Sequence, residues 1–274
     1  MKKHLSKIFL IACLLLILLL ADSKYRLTVS EYTIHSRHLP DAFNGYTIVQ
    51  LSDLHGMEFG EGNHRLIKAV SKLHPDIIAL TGDFIESADD LPVTESLVSR
   101  LTEIAPVYFT SGNHDWASHA ITSLKDTVTA QGGIYLSNES LSIEKDGSSI
   151  ILAGVEDPNG RADMIRPDML LEQISANHPE KYIVLLAHRN DFIEKYPTLP
   201  CDVIFTGHGH GGVIRLPLIG GIIGTDRNLF PKYDAGLYTS NRYTMVVSRG
   251  LGDAPIIPRL LNNPEIVSVT LVQK

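Results

Sequence analysis

Cysteine is almost absent from this sequence of 274 residues, which contains only Cys13 and Cys201. Two cysteines are too few for the disulfide framework that stabilises many small secreted domains. One lies inside an apolar run and the other precedes a predicted strand, so their placement does not indicate a disulfide either. The sequence excludes a disulfide scaffold and leaves the redox compartment open.

Positive charge is also scarce. The chain has 24 Lys and Arg against 31 Asp and Glu, which gives a formal net charge of -7. Proteins that follow the phosphates of nucleic acids normally present clustered Lys and Arg. No nucleic-acid binding is therefore expected, and any phosphate chemistry needs positive charge from another source.

Internal repeats are absent as well, which argues against a solenoid or a propeller. Hydrophobic residues make up 44% of the chain, enough for one full core. We expect an N-terminal membrane anchor or signal segment over residues 1–24 and one catalytic domain over residues 25–274.

Polar side chains are missing from residues 8–21, apart from the Cys13 thiol, and three lysines precede this run. Such a segment is either a cleaved signal peptide or a retained anchor. Leu19 stands where cleavage favours a small residue, so the sequence favours an anchor that crosses the cell membrane once. The three lysines favour a cytoplasmic N terminus, which places the remaining chain on the extracytoplasmic side.

Short apolar runs alternate with helical segments along the rest of the chain. Strands are predicted at 46–51, 76–80, 107–110, 182–187 and 201–206, with helices at about 63–73, 94–104 and 167–176. Residues 141–144 and 149–153 resemble a hairpin with an Asp-Gly turn. This alternation predicts an α/β fold with helices on the faces of the sheets.

Nearly every predicted strand ends in polar residues that are able to bind metal. These are Asp53, His55, Asp83, Asn113, His114, His188, His208 and His210. Ligands of α/β proteins bind beyond the carboxyl ends of the strands, where all these groups fall. Each residue alone has another explanation as a turn, a cap or a surface histidine. Carboxylate, imidazole and amide ligands without thiolate suit Mn, Fe, Zn or Co.

The ordered motifs resemble those of the calcineurin-like metallophosphoesterases. The resemblance rests on Asp53-x-His55, Gly82-Asp83, Gly112-Asn113-His114-Asp115, His188 and Gly207-His208-x-His210. Together with the N-terminal run, it is closest to a membrane-associated bacterial subgroup that includes phosphodiesterases and a UDP-diacylglucosamine pyrophosphatase. It implies a four-layer sandwich of two mixed β-sheets flanked by helices, preceded here by an N-terminal hydrophobic helix.

The resemblance also implies roles for single residues. Two divalent ions (Mn, Fe or Zn) are expected, one bound by Asp53, His55 and His210, the other by Asn113, His188 and His208, with Asp83 between them. His114 is expected to act as the catalytic residue above the metals, with Asp115 as its orienting partner.

The expected function is hydrolysis of a phosphodiester or pyrophosphate at the membrane, on a lipid-linked or nucleotide-linked substrate. Three alternatives remain open: a phosphomonoesterase with the same site, an amide hydrolase with two metals, and a noncatalytic metal-binding scaffold tethered to the membrane.

Two stretches near the motifs have more than one interpretation. Arg189 follows His188 where relatives often have Asn, and its side chain is expected either to contact a phosphate or to point to solvent. Residues 213–223 are unusually apolar. They are either a core hairpin that turns at Gly220-Gly221 or an exposed apolar wall that receives an acyl chain or the membrane.

Overall fold

The apolar runs of the sequence form the strands of two sheets in the computed structural model, which describes residues 2–225, 227–253 and 258–274. The first part of the chain contains α1 (Lys2–Tyr25), β1 (Thr28–Ser36), β2 (Tyr46–Leu51), α2 (His64–Ser71), β3 (Ile77–Thr81), α3 (Leu91–Thr102), β4 (Val107–Thr110), α4 (Asn113–Ala117), α5 (Ile121–Ala130) and β5 (Ile134–Tyr135).

The rest of the chain contains β6 (Glu139–Lys145), β7 (Ser148–Gly154), α6 (Pro167–Asn177), β8 (Ile183–Leu186), α7 (Phe192–Lys195), β9 (Val203–Thr206), β10 (Ile214–Leu216), β11 (Gly220–Ile223), β12 (Gly236–Thr239), β13 (Thr244–Val247) and β14 (Glu265–Gln273). Short 3-10 helices occur at Asp41–Phe43, Glu61–Asn63, Ala88–Asp90 and Pro158–Asp163.

Both large sheets are mixed and have six strands. The first has the order β1-β14-β2-β3-β4-β5 and the second the order β12-β13-β9-β8-β7-β6. β2, β3, β4 and β5 run parallel, as do β7, β8, β9 and β13. The carboxyl ends of the parallel strands meet at one edge of each sheet, which is where ligands bind in such folds.

Three hydrophobic clusters separate four layers. The middle cluster joins the facing sides of the two sheets, for example Ile48 and Ile77 with Val184 and Phe205. A second cluster lies between the first sheet and α2, α3 and α5, and a third between the second sheet and α6 and α7. The predicted four-layer α/β sandwich is therefore confirmed.

Periodicity explains which face each helix buries. In α3, Thr94, Leu97, Val98 and Leu101 are buried, which is the i, i+3, i+4, i+7 spacing of one helix face. The strands β3 and β9 are buried at every position because other layers cover both of their faces.

The hairpin over residues 213–223 forms, but the predicted turn at Gly220-Gly221 is wrong. The strands β10 and β11 pair with Leu216 opposite Gly220, so the turn is Pro217–Ile219. The glycines instead allow a close backbone approach, because a Cβ on Gly221 would lie 2.9 Å from the Gly212 Cα. The tip is not part of the core, since Leu218 is fully exposed.

The N-terminal helix is long and apolar enough over residues 6–25 to cross a membrane, and only 6% of its most apolar window is buried. A signal sequence has the same character, so composition does not distinguish the two.

Candidate dinuclear metal centre

The seven predicted metal ligands lie where strands of both sheets end. β2, β3 and β4 come from the first sheet, and β8 and β9 from the second. Each of these strands is followed within four residues by one or two of the ligands, which are Asp53, His55, Asp83, Asn113, His188, His208 and His210. The facing sheets therefore bring together side chains that are up to 157 positions apart in the sequence.

The backbone turns sharply at most of these positions. Five of the seven have left-handed φ angles: 53° at Asp53, 49° at His55, 58° at Asp83, 63° at His208 and 44° at His210. This conformation is uncommon for residues with a Cβ and costs on the order of 1–3 kcal/mol when it is strained. Such turns let residues that directly follow a strand aim their side chains at one place.

Glycine permits the close approach of these loops. A Cβ on Gly207 would lie 2.0 Å from Ser52 Oγ and 2.2 Å from Asp53 Oδ2. A Cβ on Gly112 would lie 2.1 Å from Asp83 Oδ1. Side chains at either position would collide with the carboxylates of the site.

The first donor set consists of Asp53, His55 and His210, whose ligand atoms lie within 4.8 Å of one another. The Nε2 atoms of His55 and His210 are 3.1 Å apart, and His210 Nε2 is 3.4 Å from Asp53 Oδ1. All three side chains are buried. Two imidazole nitrogens that face each other beside a buried carboxylate are the arrangement expected around a cation.

The second donor set consists of Asp83, His188 and His208. His188 Nε2 is 3.0 Å from Asp83 Oδ2, and the rings of His188 and His208 are 5.1 Å apart. The same Asp83 oxygen is 4.0 Å from His55 Nε2 in the first set. Asp83 therefore lies between the two sets, where a bridging ligand would have to be.

Asn113 adds an unpaired acceptor beside the second set. Its Oδ1 is buried and accepts no hydrogen bond from the part of the chain that the structure describes. The next residue donates its backbone N–H to Asp83 Oδ1 at 2.7 Å, which holds the start of α4 against Asp83. A buried amide oxygen without a partner is costly, and a bound cation would satisfy it.

Two of the histidine rings, those of His188 and His55, have a hydrogen-bond partner at Nδ1, which orients Nε2 toward the donor sets. His188 Nδ1 is 2.8 Å from the Thr81 carbonyl oxygen, and His55 Nδ1 contacts Glu86 Oε1. Each acceptor favours a proton on Nδ1, which leaves Nε2 unprotonated in the neutral ring. Metal-ligating histidines commonly have such second partners.

The electrostatics of the site also fit divalent cations. Burial raises the pKa of Asp53, and the neighbouring Asp83 carboxylate adds to this. Burial also opposes the charge of Asp83, but His188 and His55 outweigh it and lower its pKa below the ordinary value. Burial opposes protonation of His188 too, yet Asp83 and Asp53 raise its pKa to about 10. The buried carboxylates thus attract positive charge to this place.

Burial also favours the neutral form of two further histidines, His208 and His210. Burial lowers the pKa of His208 and of His210 well below the usual range, and neighbouring positive groups lower both further. Only neutral imidazole binds a metal, so both side chains are in a form suited to ligation. The residues present therefore fit two divalent ions.

Glu86 is a functional candidate that the sequence patterns did not identify. Its carboxylate contacts His55 Nδ1 through Oε1 and lies 2.9 Å from His114 Nδ1 through Oε2. These two rings meet edge to face with centroids 4.9 Å apart. In the sequence, the only indication of this role is the position of Glu86 three residues after Asp83, in the loop that follows β3.

Asp115 has a different place from the predicted one. In the described part of the chain, the carboxylate at the His114 ring belongs to Glu86 rather than to Asp115. Asp115 is fully buried and accepts backbone N–H groups from Asp83, Phe84, Ile85 and Gly112 at 2.8 to 3.1 Å. It caps α4 and fixes the loop that carries Asp83, so it positions the site without touching the His114 ring.

The Arg189 side chain does not extend freely into solvent, because it is paired within the protein. Its guanidinium forms a two-pronged pair with the buried Asp157, at 2.6 and 3.1 Å. Its Nη1 also lies 3.1 Å from His208 Nε2. The guanidinium borders the second donor set and is held in place by Asp157.

The sequence matches the pattern of a known protein family. The pattern of the calcineurin-like phosphoesterases matches residues 46–212. The chain is 31% identical to the uncharacterized metallophosphoesterase YkuE of Bacillus subtilis (strain 168), over 90% of this chain and 86% of YkuE. The matched pattern starts with β2 and ends two residues after His210, so it includes all seven candidate ligands.

Two further relatives carry names that describe an activity. The chain is 29% identical to the phosphodiesterase YaeI of Escherichia coli (strain K12), over 72% of this chain and 71% of YaeI. It is 26% identical to the UDP-2,3-diacylglucosamine pyrophosphatase LpxG of Chlamydia muridarum (strain MoPn / Nigg), over 83% of this chain and 85% of LpxG.

Replacement of Asp115 by alanine should destabilise the protein. The variant leaves up to four buried backbone N–H groups without an acceptor, and each costs about 1–3 kcal/mol. We expect a clear fall in Tm, measured by calorimetry, whereas Asp126→Ala on the exposed face of α5 should leave Tm nearly unchanged. An unaltered Tm with lost activity would instead assign Asp115 to the chemistry.

Replacement of Glu86 by glutamine should impair the site without unfolding the protein. In glutamine an NH2 group replaces one of the two carboxylate oxygens, so either His55 or His114 faces a donor instead of an acceptor. We expect activity or metal affinity to fall roughly 10- to 100-fold, as for other partners of metal-ligating histidines. The control is Glu103→Gln at the exposed end of α3. Equal activity of the two variants would exclude this role of Glu86.

Proposed function

The chain belongs to the calcineurin-like phosphoesterase family and is a metal-dependent hydrolase, and we propose that it cleaves phosphodiester or pyrophosphate bonds of a membrane-bound substrate. The observation that carries this proposal is the pair of donor sets that meet at the buried Asp83. The family uses divalent metals, and Mn, Fe and Zn all suit these ligands.

We assign Asp53, His55 and His210 to one cation, and Asn113, His188 and His208 to the other, with Asp83 shared between them. When bound, two such cations supply positive charge for the phosphate oxygens and lower the pKa of water. The side chains hold this charge in a fixed place, because their loops are fastened by buried hydrogen bonds. This explains how a protein with a net charge of -7 attracts an anionic substrate.

His114 is the candidate general acid. It is less buried than the ligands, and its ring stands edge to face on that of His55. The hydrogen bond that His114 donates to Glu86 raises the pKa of His114, against the effect of burial. With Nδ1 donating to Glu86, the opposite ring nitrogen is available to give a proton to the leaving oxygen.

An apolar cavity beside the metal ligands supports a substrate with a nonpolar part. The cavity has a volume of about 200 Å³ and includes His188 and Arg189 in its wall. Its apolar lining comes from Met164, Ile165, Pro167, Phe192 and Tyr196. A small phosphate ester would not need such a lining, whereas an acyl chain or a base would bury its apolar surface there.

Membrane location is supported by α1 and by the name of one relative. Residues 6–25 of the helix are long and apolar enough to cross a membrane, and only 6% of their most apolar window is buried. The relative LpxG is named a UDP-2,3-diacylglucosamine pyrophosphatase, whose substrate carries two acyl groups. The lysines before the helix favour an extracytoplasmic catalytic domain. We therefore propose a lipid-linked substrate presented at the outer surface of the cell membrane.

The activity is tested with bis-p-nitrophenyl phosphate and with a lipid-linked pyrophosphate, on the full chain in detergent with Mn. We expect hydrolysis of both, with a higher kcat/KM for the lipid-linked compound because only that compound fills the apolar cavity. Absence of turnover with Mn, Fe and Zn would instead favour a noncatalytic scaffold.

Two substitutions should separate metal binding from proton transfer. Asp83→Asn should remove both activity and most bound metal, because the shared ligand loses its charge. His114→Ala should keep its metal and lower turnover by roughly 10²- to 10⁴-fold, as is typical of general acids. Metal content is measured by mass spectrometry, with the exposed His178→Ala as control. Loss of metal from His114→Ala would overturn the division between ligands and acid.

A further inference from the structure

Exposed apolar side chains are concentrated around the β10–β11 hairpin. Outside α1, ten large apolar side chains of the described residues are exposed, and six of them lie here: Leu216, Leu218, Ile219, Leu229, Phe230 and Leu261. We call these six residues the apolar rim. The other four lie on different elements, as single exposed side chains of soluble proteins often do. A contiguous patch, by contrast, commonly marks a binding surface.

Four of the six rim residues share one depression, and the other two are held at β11. Leu261 lines the same depression as Leu216, Leu218 and Ile219 at the tip of the hairpin. The Phe230 N–H donates to the Ile222 carbonyl at 2.9 Å. The two exposed residues at 229 and 230 are therefore fastened to β11.

The rim is joined to the last turn of α1. The Leu261 N–H donates to Ser23 Oγ at 2.8 Å, and the Asn263 amide donates to the Asp22 carbonyl at 2.7 Å. The same segment pairs with the hairpin, because the Arg215 N–H donates to the Leu260 carbonyl at 3.1 Å. The end of the helix and the start of the hairpin thus share one segment of chain.

This connection fixes the level of the rim relative to a bilayer. An α-helix of 24 residues is about 36 Å long, slightly more than the roughly 30 Å hydrocarbon core. Polar residues end it, among them Asp22 and Lys24, so its last turn would lie among the lipid headgroups. A surface attached to that turn by two hydrogen bonds lies at the same level.

We propose that the apolar rim inserts into the lipid interface, so that the domain contacts the membrane at two places, through α1 and through the hairpin tip. The occupant of the rim is the bilayer rather than a soluble protein, because the segment that carries Leu261 is hydrogen-bonded to the last turn of a helix that is long and apolar enough to cross a membrane. This inference rests on the proposed retention of α1 in the membrane, but not on any catalytic activity.

Membrane contact through both α1 and the hairpin tip would fix the orientation of the candidate metal centre relative to the lipid surface. The Asn262 amide donates to the carbonyl groups of His210, at 2.7 Å, and of Val213, at 3.1 Å. Arg259, in the same segment, lies 3.3 Å from His210 Nδ1 through Nη2. The membrane-contacting segment therefore also supports a candidate metal ligand, and the site faces a constant direction relative to the lipid surface.

The insertion is tested with an environment-sensitive probe on the full chain in nanodiscs of phosphatidylcholine and phosphatidylglycerol. In a Cys13→Ala background, Leu218→Cys is labelled with an NBD maleimide, while the buried Cys201 remains in place. The control is Ile134→Cys on β5, at the opposite edge of the first sheet from β1. Five strand spacings separate these edges, roughly 24 Å.

We expect blue-shifted emission and strong quenching by doxyl-labelled lipid at position 218, with neither at position 134. Quenching of both probes by aqueous iodide, without quenching by doxyl lipid, would overturn the proposal. Flotation with liposomes first shows whether α1 holds the chain on the membrane. Hydrolysis of bis-p-nitrophenyl phosphate is measured separately, so a failed insertion is distinguishable from a failed enzyme.

A second variant examines the consequence for catalysis. Leu218→Asp places a charge in the interface, and we expect kcat/KM for a lipid-linked pyrophosphate in vesicles to fall roughly tenfold, because one large apolar side chain is lost from the contact. Turnover of bis-p-nitrophenyl phosphate and the Tm should remain unchanged. Equal losses on both substrates would contradict membrane insertion of the rim.

Discussion

Two carboxylates, those of Asp53 and Asp83, are buried together at one edge of the fold, and much of the site compensates for their charge. A buried carboxylate is stable only when it is paired, hydrogen-bonded or bound to a cation. Here the surroundings supply four histidines, among them His208 and His210, whose pKa burial lowers, and the amide oxygen of Asn113, which has no partner in the described part of the chain. Divalent cations would complete this arrangement, because they bind carboxylate, neutral imidazole and amide oxygen together.

The scaffold makes the arrangement rigid. Asp115 fastens the loop after β3 to the start of α4 through four backbone hydrogen bonds. Gly207 and Gly112 let the loops approach more closely than any side chain would permit. Glu86 joins a ligand, His55, to the candidate acid, His114. On the opposite side, Asn262 connects His210 to the segment that holds α1. The candidate metal centre, the candidate general acid and the proposed membrane attachment are thus connected through hydrogen bonds.

The fold and the gathering of the candidate ligands at one place were largely predictable because both follow from local patterns. A buried strand of a parallel sheet is a continuous apolar run, and its functional residues lie just beyond its end. Glu86 was not predictable, since its contacts come from residues after other strands. The resemblance implied that Asp115 orients His114, but the two are neighbours in α4, and successive residues of a helix point about 100° apart. The glycines at 220 and 221 resembled a turn, although Gly221 serves a contact with Gly212 that only the folded chain shows.

If one buried carboxylate is shared by two cations, anomalous X-ray scattering from crystals grown with Mn will reveal both ions. We expect two anomalous peaks per chain, roughly 3.5–4 Å apart, with Asp83 in contact with both. One peak should also contact Asp53, His55 and His210, and the other Asn113, His188 and His208. A single peak, or two peaks without Asp83 between them, would contradict the sharing of this carboxylate.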